Sequence, residues 1–325
     1  MTTTSKPNTM KRLFILSVSL ILSFTLATQA TAQTKDDGTL RILAIGNSFS
    51  DDGTEYLPAL LENLDIENVE VARLYVGGCT LEQHVKFYDN NEAAYKFYQS
   101  KAGENKWVES AEKVTMQYAL AMGEWDIITL QQASGFSGQY DSYTPYLSRL
   151  IEAVKRAQPQ AELVWHMTWS YSSDSNHKHF HYYDNNQQTM NNAIDNCLHS
   201  LLAEFDDIER IIPSGTVVKS LRRSAINNYP KDLTRDGFHM GYGAGRYALA
   251  CTWYEALVEP YTGKSMMGNT LRVCGGIVSV SDIVALYCQQ AAKQAVKNPF
   301  KVREVKPSLS KATQGNPEQT IIIKK

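Results

Sequence analysis

Four short apolar runs, Leu40 to Ile45, Val69 to Tyr75, Asp126 to Leu130 and Ala161 to Met167, do most to restrict how this chain can fold. Each is nearly continuous in apolar character, as strands are when both faces of their sheet are covered. Helix-length segments separate them. Tyr56, Leu57, Leu60, Leu61 and Leu64 form one apolar stripe at helical spacing, and Tyr146, Leu147, Leu150, Ile151 and Val154 form another. A fifth strand is expected at Glu209 to Ile212, with further helices over Asn186 to Phe205, Gly243 to Val258 and Val280 to Val296. Strand alternating with helix predicts an α/β domain, a three-layer α/β/α sandwich around a central parallel sheet of about five strands. Residues 93–108 fit this plan less well and read as a small hairpin inserted before the third strand.

The two ends of the chain read differently. Residues 1–12 are polar and carry Lys6, Lys11 and Arg12, Leu13 to Ala27 is apolar, and Ala30-Thr31-Ala32 offers a small-residue cleavage site. Residues 1–32 are therefore expected to be a signal peptide, with export to a periplasm or beyond the cell. An apolar stretch of about 15 residues is shorter than the roughly 20 that span a bilayer, so no membrane span is expected after cleavage. The formal net charge is −2 and becomes more acidic once that basic leader is gone, which argues against a nucleic-acid partner. The folded domain is expected over residues 33–303, and residues 304–325, without periodicity, as a loose tail whose Ile321 to Ile323 has no evident role. The five cysteines, Cys79, Cys197, Cys251, Cys274 and Cys288, are widely spaced, with no C-x-x-C pair. That spacing does not indicate a metal knuckle and leaves room for one or two disulfides after export.

Two segments carry candidate chemistry. The first strand ends in Ile45-Gly46-Asn47-Ser48-Phe49-Ser50, and reactive groups in open parallel sheets collect at such carboxyl ends. Taken alone, Asn47, Ser48, Ser50 and Asp51 read equally as turn and capping residues. The second segment is Arg235-Asp236-Gly237-Phe238-His239. A serine hydroxyl becomes a strong nucleophile when an imidazole accepts its proton, and a carboxylate fixes that imidazole's tautomer. Asp and His three residues apart on one turn can supply both.

Together the two segments resemble the SGNH (GDSL-like) hydrolase superfamily, over most of residues 40–258, in the manner of a poorly characterised bacterial exported subgroup. Gly46-Asn47-Ser48 matches the block that holds the nucleophile, with Asn47 in place of the usual Asp, and Asp236-Gly237-Phe238-His239 matches the closing block. The resemblance implies a catalytic triad of Ser48, His239 and Asp236. Gly77-Gly78-Cys79-Thr80 looks like the block whose glycine N–H joins the oxyanion hole, which assigns Gly78 beside the N–H of Ser48. The remaining block usually reads Gly-x-Asn-Asp; here it is Leu130-Gln131-Gln132-Ala133-Ser134. A Gln amide offers the same donor on a longer arm, so Gln132, or its neighbour Gln131, is the expected substitute.

The fourth strand leads into Trp165-His166-Met167-Thr168-Trp169-Ser170-Tyr171, where Trp169 and Tyr171 are expected to contact substrate and Trp165 and Met167 to lie in the sheet. The alternating His177, His179 and His181 could share a metal ion, but no further ligand pattern accompanies them and the serine mechanism needs neither metal nor other cofactor. The implied activity is that of a serine esterase removing acetyl or other short acyl groups from carbohydrate. A lipid or lysophospholipid esterase and a non-catalytic glycan-binding protein on the same fold are the alternatives.

Overall fold

The computed structural model describes residues 1, 2 and 37–324; the expected leader over 1–32, apart from its first two residues, lies outside them. The apolar runs form strands β1 (Leu40–Gly46), β2 (Val69–Tyr75), β5 (Ile127–Leu130), β6 (Glu162–His166) and β7 (Ile208–Ile212), with β3 (Tyr95–Ser100) and β4 (Val108–Val114) between the second and third of these. One sheet contains all seven, in the order β4-β3-β2-β1-β5-β6-β7. Five strands, from β2 across to β7, are parallel, as expected; β3 pairs antiparallel with β2, and β4 with β3. The sheet is thus mixed and seven-stranded, not a five-stranded parallel sheet. The difference comes from a hairpin of β3 and β4 that adds itself to the sheet edge; it ends at Val114, beyond the hairpin read from residues 93–108. Its inner strand buries Tyr95 and Phe97, while β4 is largely exposed. Across the hairpin Lys96 pairs with Glu109 and Glu112, and such charges protect an edge from further strand pairing.

Helices α1 (Ser48–Thr54), α2 (Leu57–Asn63), α3 (Leu81–Asp89), α4 (Met116–Ala121), α5 (Tyr146–Ala157) and α6 (Gln187–Glu204) lie in the connections between strands, and α7 (Ser214–Arg222) follows β7. Beyond them α8 (Ala244–Trp253) continues through a π turn at Tyr254–Val258 into α9 (Glu259–Thr262), and α10 (Asp282–Lys297) follows. In one helical layer α8 packs against α1, α2, α7 and α10; in another, α5 packs against α3 and α4. The predicted stripe on α5 is the face it buries, through Leu147, Leu150, Ile151 and Val154. Among the described residues no helix is long and apolar enough to cross a membrane.

The tail is not loose. Thr320–Ile322 forms β9, which pairs in parallel with β8 (Arg272–Cys274) in a separate two-stranded sheet, and Val305 is buried. Polar contacts fasten it: Gly315 N–H donates to Asp282 Oδ1, and Asn63 Nδ2 donates to Gln319 Oε1 at 2.6 Å. Partners this distant leave no local periodicity to read. All five cysteines are free, and all but Cys274 are buried.

Candidate active site

Among the parallel strands, the chain turns outward in opposite directions after β1 and β5, and in open α/β sheets ligands bind at the carboxyl ends beside such a reversal. Ser48 follows β1 there, and Gln131 follows β5. Asn47 has extended backbone and caps α1, its Oδ1 accepting the N–H of Phe49 at 3.0 Å. The capping reading of this segment therefore holds for Asn47, and it places Ser48 as the first helical residue. A Cβ on Gly46 would stand 2.2 Å from Ser50 Oγ and 3.1 Å from the Gln131 side chain; only glycine permits this approach.

The structure brings Ser48, His239 and Asp236 together. Ser48 Oγ lies 2.8 Å from His239 Nε2, and His239 Nδ1 lies 2.7 Å from Asp236 Oδ2. A carboxylate only accepts, so Nδ1 carries the imidazole proton and Nε2 accepts from the serine hydroxyl. Asp236 Oδ1 also accepts the backbone N–H groups of His239 at 2.8 Å and Phe238 at 3.2 Å. Burial acts to raise the Asp236 pKa, but these hydrogen bonds, led by the His239 ring, outweigh it and hold the carboxyl below its usual range.

Trp169 and Tyr171 are 1% and 0% exposed, so neither can offer a face to substrate, and the expectation for both is corrected. The segment bends back into the core after β6. Trp169 stacks on Phe49 with ring centroids 4.2 Å apart and donates from Nε1 to the carbonyl of Phe238 at 2.8 Å. It thereby braces the residues on either side of Ser48 and His239. Tyr171 meets Phe238 and His177 through its ring and Ser134 Oγ through its hydroxyl. His177 packs against both Tyr171 and Phe238, whereas His179 stacks on Tyr182. Among the described residues, no three His, Cys, Asp or Glu side chains are grouped to hold a metal ion.

Gln132 does not serve as an oxyanion donor. Its Nε2 donates to the carbonyl and hydroxyl of Ser142 at 3.1 and 3.0 Å, and its Oε1 accepts from Leu81 and Ala133 N–H. Gln131 is committed as well. Its Oε1 accepts from Ser50 Oγ at 2.6 Å and from His166 Nδ1 at 2.9 Å, and its Nε2 donates to Asn47 Oδ1 at 2.8 Å. Asn47 Nδ2 in turn donates to the carbonyl of Cys79. This buried relay runs from Ser214 through His166, Gln131 and Asn47 to the loop bearing Gly78. Burial drives the His166 pKa down to about 3, so the imidazole is neutral, donating from Nδ1 and accepting the Ser214 hydroxyl at Nε2. The longer amide arm thus reaches across the strand ends instead of into the crevice. Gly78 has φ of +65° and nothing within 4 Å of the position a Cβ would take. Among the described residues, no protein group accepts from the N–H of Ser48 or Gly78.

One residue escaped the sequence reading. Asp52 is 0% exposed and accepts from Arg235 Nη1 at 2.9 Å, Arg246 Nε at 2.8 Å and Met240 N–H at 2.9 Å. It ties the helix of the serine to the loop of the histidine. Its only sequence trace is the Asp51-Asp52 pair one turn after Ser48, in a segment that reads as turn and capping residues.

A family model described as "Domain of unknown function (DUF4886)" matches residues 41–271. The crystal structure of a DUF4886 family protein from Bacteroides uniformis ATCC 8492 is 34% identical, with a TM-score of 0.73, covering 85% of this chain and all of that one. A protein from Parabacteroides merdae ATCC 43184 described as a GDSL-like lipase is 15% identical at TM-score 0.45, over 69% of this chain and 95% of its own. A catalytic mutant of an acetylxylan esterase from Geobacillus stearothermophilus is 11% identical at TM-score 0.41, over 69% and 94%. Likeness at these last two scores has no bearing on the chemistry here. None of the curated proteins matches the chain.

Proposed function

The chain belongs to the DUF4886 family, and for it we propose a serine esterase of the SGNH kind. One observation carries the reading: residues 191 positions apart in sequence bring a serine hydroxyl to 2.8 Å from an imidazole nitrogen, whose other nitrogen meets a carboxylate at 2.7 Å. Ser48 Oγ attacks the ester carbonyl as His239 Nε2 takes its proton, and Asp236 stabilises the imidazolium that results. The carbonyl oxygen, now negative, is held by the N–H groups of Ser48 and Gly78. His239 then protonates the leaving alcohol, and water, activated by the same imidazole, releases the acid from the acyl-enzyme. Removing one such oxyanion donor costs on the order of 10²- to 10³-fold in turnover.

For the substrate we propose acetyl or another short acyl group on carbohydrate, met outside the cytoplasm. This part rests on the export leader expected at residues 1–32 and on the SGNH resemblance, and no longer on Trp169 and Tyr171. The test is acetate release from acetylated oligosaccharides, with a series of 4-nitrophenyl esters from acetate to laurate and Ser48→Ala as control. Turnover highest on acetate and absent in Ser48→Ala is expected. Activity that climbs with chain length would point to a lipid esterase and sink the short-acyl assignment. Binding without any turnover would indicate a non-catalytic glycan-binding protein.

A further inference from the structure

A cavity of about 270 Å³ opens between α6, α7 and the loop at residues 224–232, and neither Ser48, Asp236 nor His239 lines it. Pockets that enclose drug-sized ligands run from about 300 to 1,000 Å³, so this one suits a single small polar unit. Most of its charge is already satisfied within the fold. Lys219 Nζ donates to both oxygens of Asp195 at 2.6 and 2.7 Å, and Arg222 donates to Ser170 and to the carbonyl of Asp232. The Asp232 carboxylate accepts from Ser173, Gln187 and Asn227.

The side chains of Asn191, Arg223 and Tyr229 are left uncommitted. Asn227 Nδ2 donates to Asp232 Oδ1 at 3.0 Å, which fixes the amide's orientation, because a carboxylate only accepts. Its Oδ1 is then buried from the cavity as well as from bulk water, and among the described residues nothing donates to it. Arg223 is exposed, and no described residue bonds or pairs with its guanidinium. Tyr229 lines the cavity yet remains 75% exposed, presenting a flat apolar face with a polar edge.

We propose that this cavity binds one uronic-acid unit of an acidic oligosaccharide, with its carboxylate on Arg223, its ring against Tyr229 and a hydroxyl on the amide of Asn191. Gln188 also lines the cavity; its Nε2 donates to Asn192 Oδ1, and its Oε1 accepts a further hydroxyl. Binding here needs no ester chemistry, so the site stands or falls apart from the proposed esterase activity.

The test is calorimetric titration of the full chain carrying Ser48→Ala with a galacturonic acid trimer, with the neutral trimer of glucose and with sodium acetate. The acidic trimer is expected to bind, more tightly than the neutral one, and to lose at least tenfold in affinity in both Tyr229→Ala and Arg223→Gln. Both residues are exposed, and circular dichroism checks that the variants fold. In the Ser48 background both should hydrolyse 4-nitrophenyl acetate as the parent does. No binding of the acidic trimer, or affinity unchanged in either variant, would overturn the proposal. Acetate competing as well as the trimer would reveal a plain anion site and overturn it too. Trimer binding in a protein that hydrolyses no ester would sustain this site while refuting the esterase.

Discussion

Replacing Asp52 by Asn keeps the side chain's shape and removes its charge, so it isolates what this buried carboxylate does. Both Asp52 oxygens accept: Oδ2 from Met240 N–H and Arg235, and Oδ1 from Arg246 Nε and Arg235. An Asn amide must turn its NH₂ toward one of these donors, and it leaves two guanidinium groups without their shared counter-charge. Breaking a buried ion pair from one side costs roughly 3 to 5 kcal/mol. Arg235 and Arg246 keep 18% and 15% side-chain exposure, and Arg246 lies 3.9 Å from Glu55, so the lower end applies. A loss of about 3 kcal/mol at roughly 2 to 4 °C per kcal/mol predicts a Tm lower by about 6 to 12 °C. Because Met240 follows His239 directly, a shift of about 1 Å in that loop should also cost on the order of 10²-fold in kcat/KM. Thermal melts followed by circular dichroism and 4-nitrophenyl acetate kinetics measure both. A variant that melts within about 2 °C of the parent and keeps kcat/KM within about twofold would refute the reasoning.

Trp169→Phe keeps an aromatic ring on Phe49 but withdraws the donor from the Phe238 carbonyl; it should cost about 1 kcal/mol in stability and lower kcat with KM on a small ester unchanged. A change confined to KM would mean that Trp169 touches substrate after all. Gly46→Ala drives a methyl into Ser50 Oγ and should destabilise by about 3 kcal/mol or more, whereas Gly78→Ala meets only the left-handed backbone penalty of roughly 1 to 2 kcal/mol; urea unfolding ranks the two. Burial raises the Asp51 carboxyl from the usual carboxylate range to about 6. Between those limits the folded chain binds the extra proton, so the Asp51 contribution to stability falls as pH rises through that window and is lost above it. Asp51→Asn should therefore gain Tm relative to the parent on going from pH 4.5 to pH 7, and a gap that is constant with pH would contradict this.

What the sequence made legible was what has a period or a local motif. The runs at Leu40, Val69, Asp126 and Ala161 became strands within about two residues, because continuous apolar character has few other uses in a chain of this length. β4 was invisible as a strand: Val108-Glu109-Ser110-Ala111-Glu112-Lys113 is polar on both faces at an edge that meets water. β9 went unread because its partner lies at Arg272, far along the chain. In the site, Ser48, Asp236 and His239 were nominated by short motifs, and the structure brings those three side chains within hydrogen-bonding distance. The second tier of residues was not legible. Trp169 and Gln132 carry the same groups whether they face substrate or core, and only the direction of the chain after β6 and β5 decides. Asp52 has its meaning from Arg235 and Arg246, both nearly two hundred residues away.

The central claim is that Ser48 is a nucleophile activated by His239, and covalent labelling tests it without any choice of substrate. Incubation with a fluorophosphonate, followed by intact-mass measurement and peptide mapping, should give a single adduct on the peptide containing Ser48. The adduct should be absent in Ser48→Ala and slowed by at least about 10³-fold in His239→Ala. An unlabelled parent protein, or an adduct on another residue that persists in Ser48→Ala, would contradict the account.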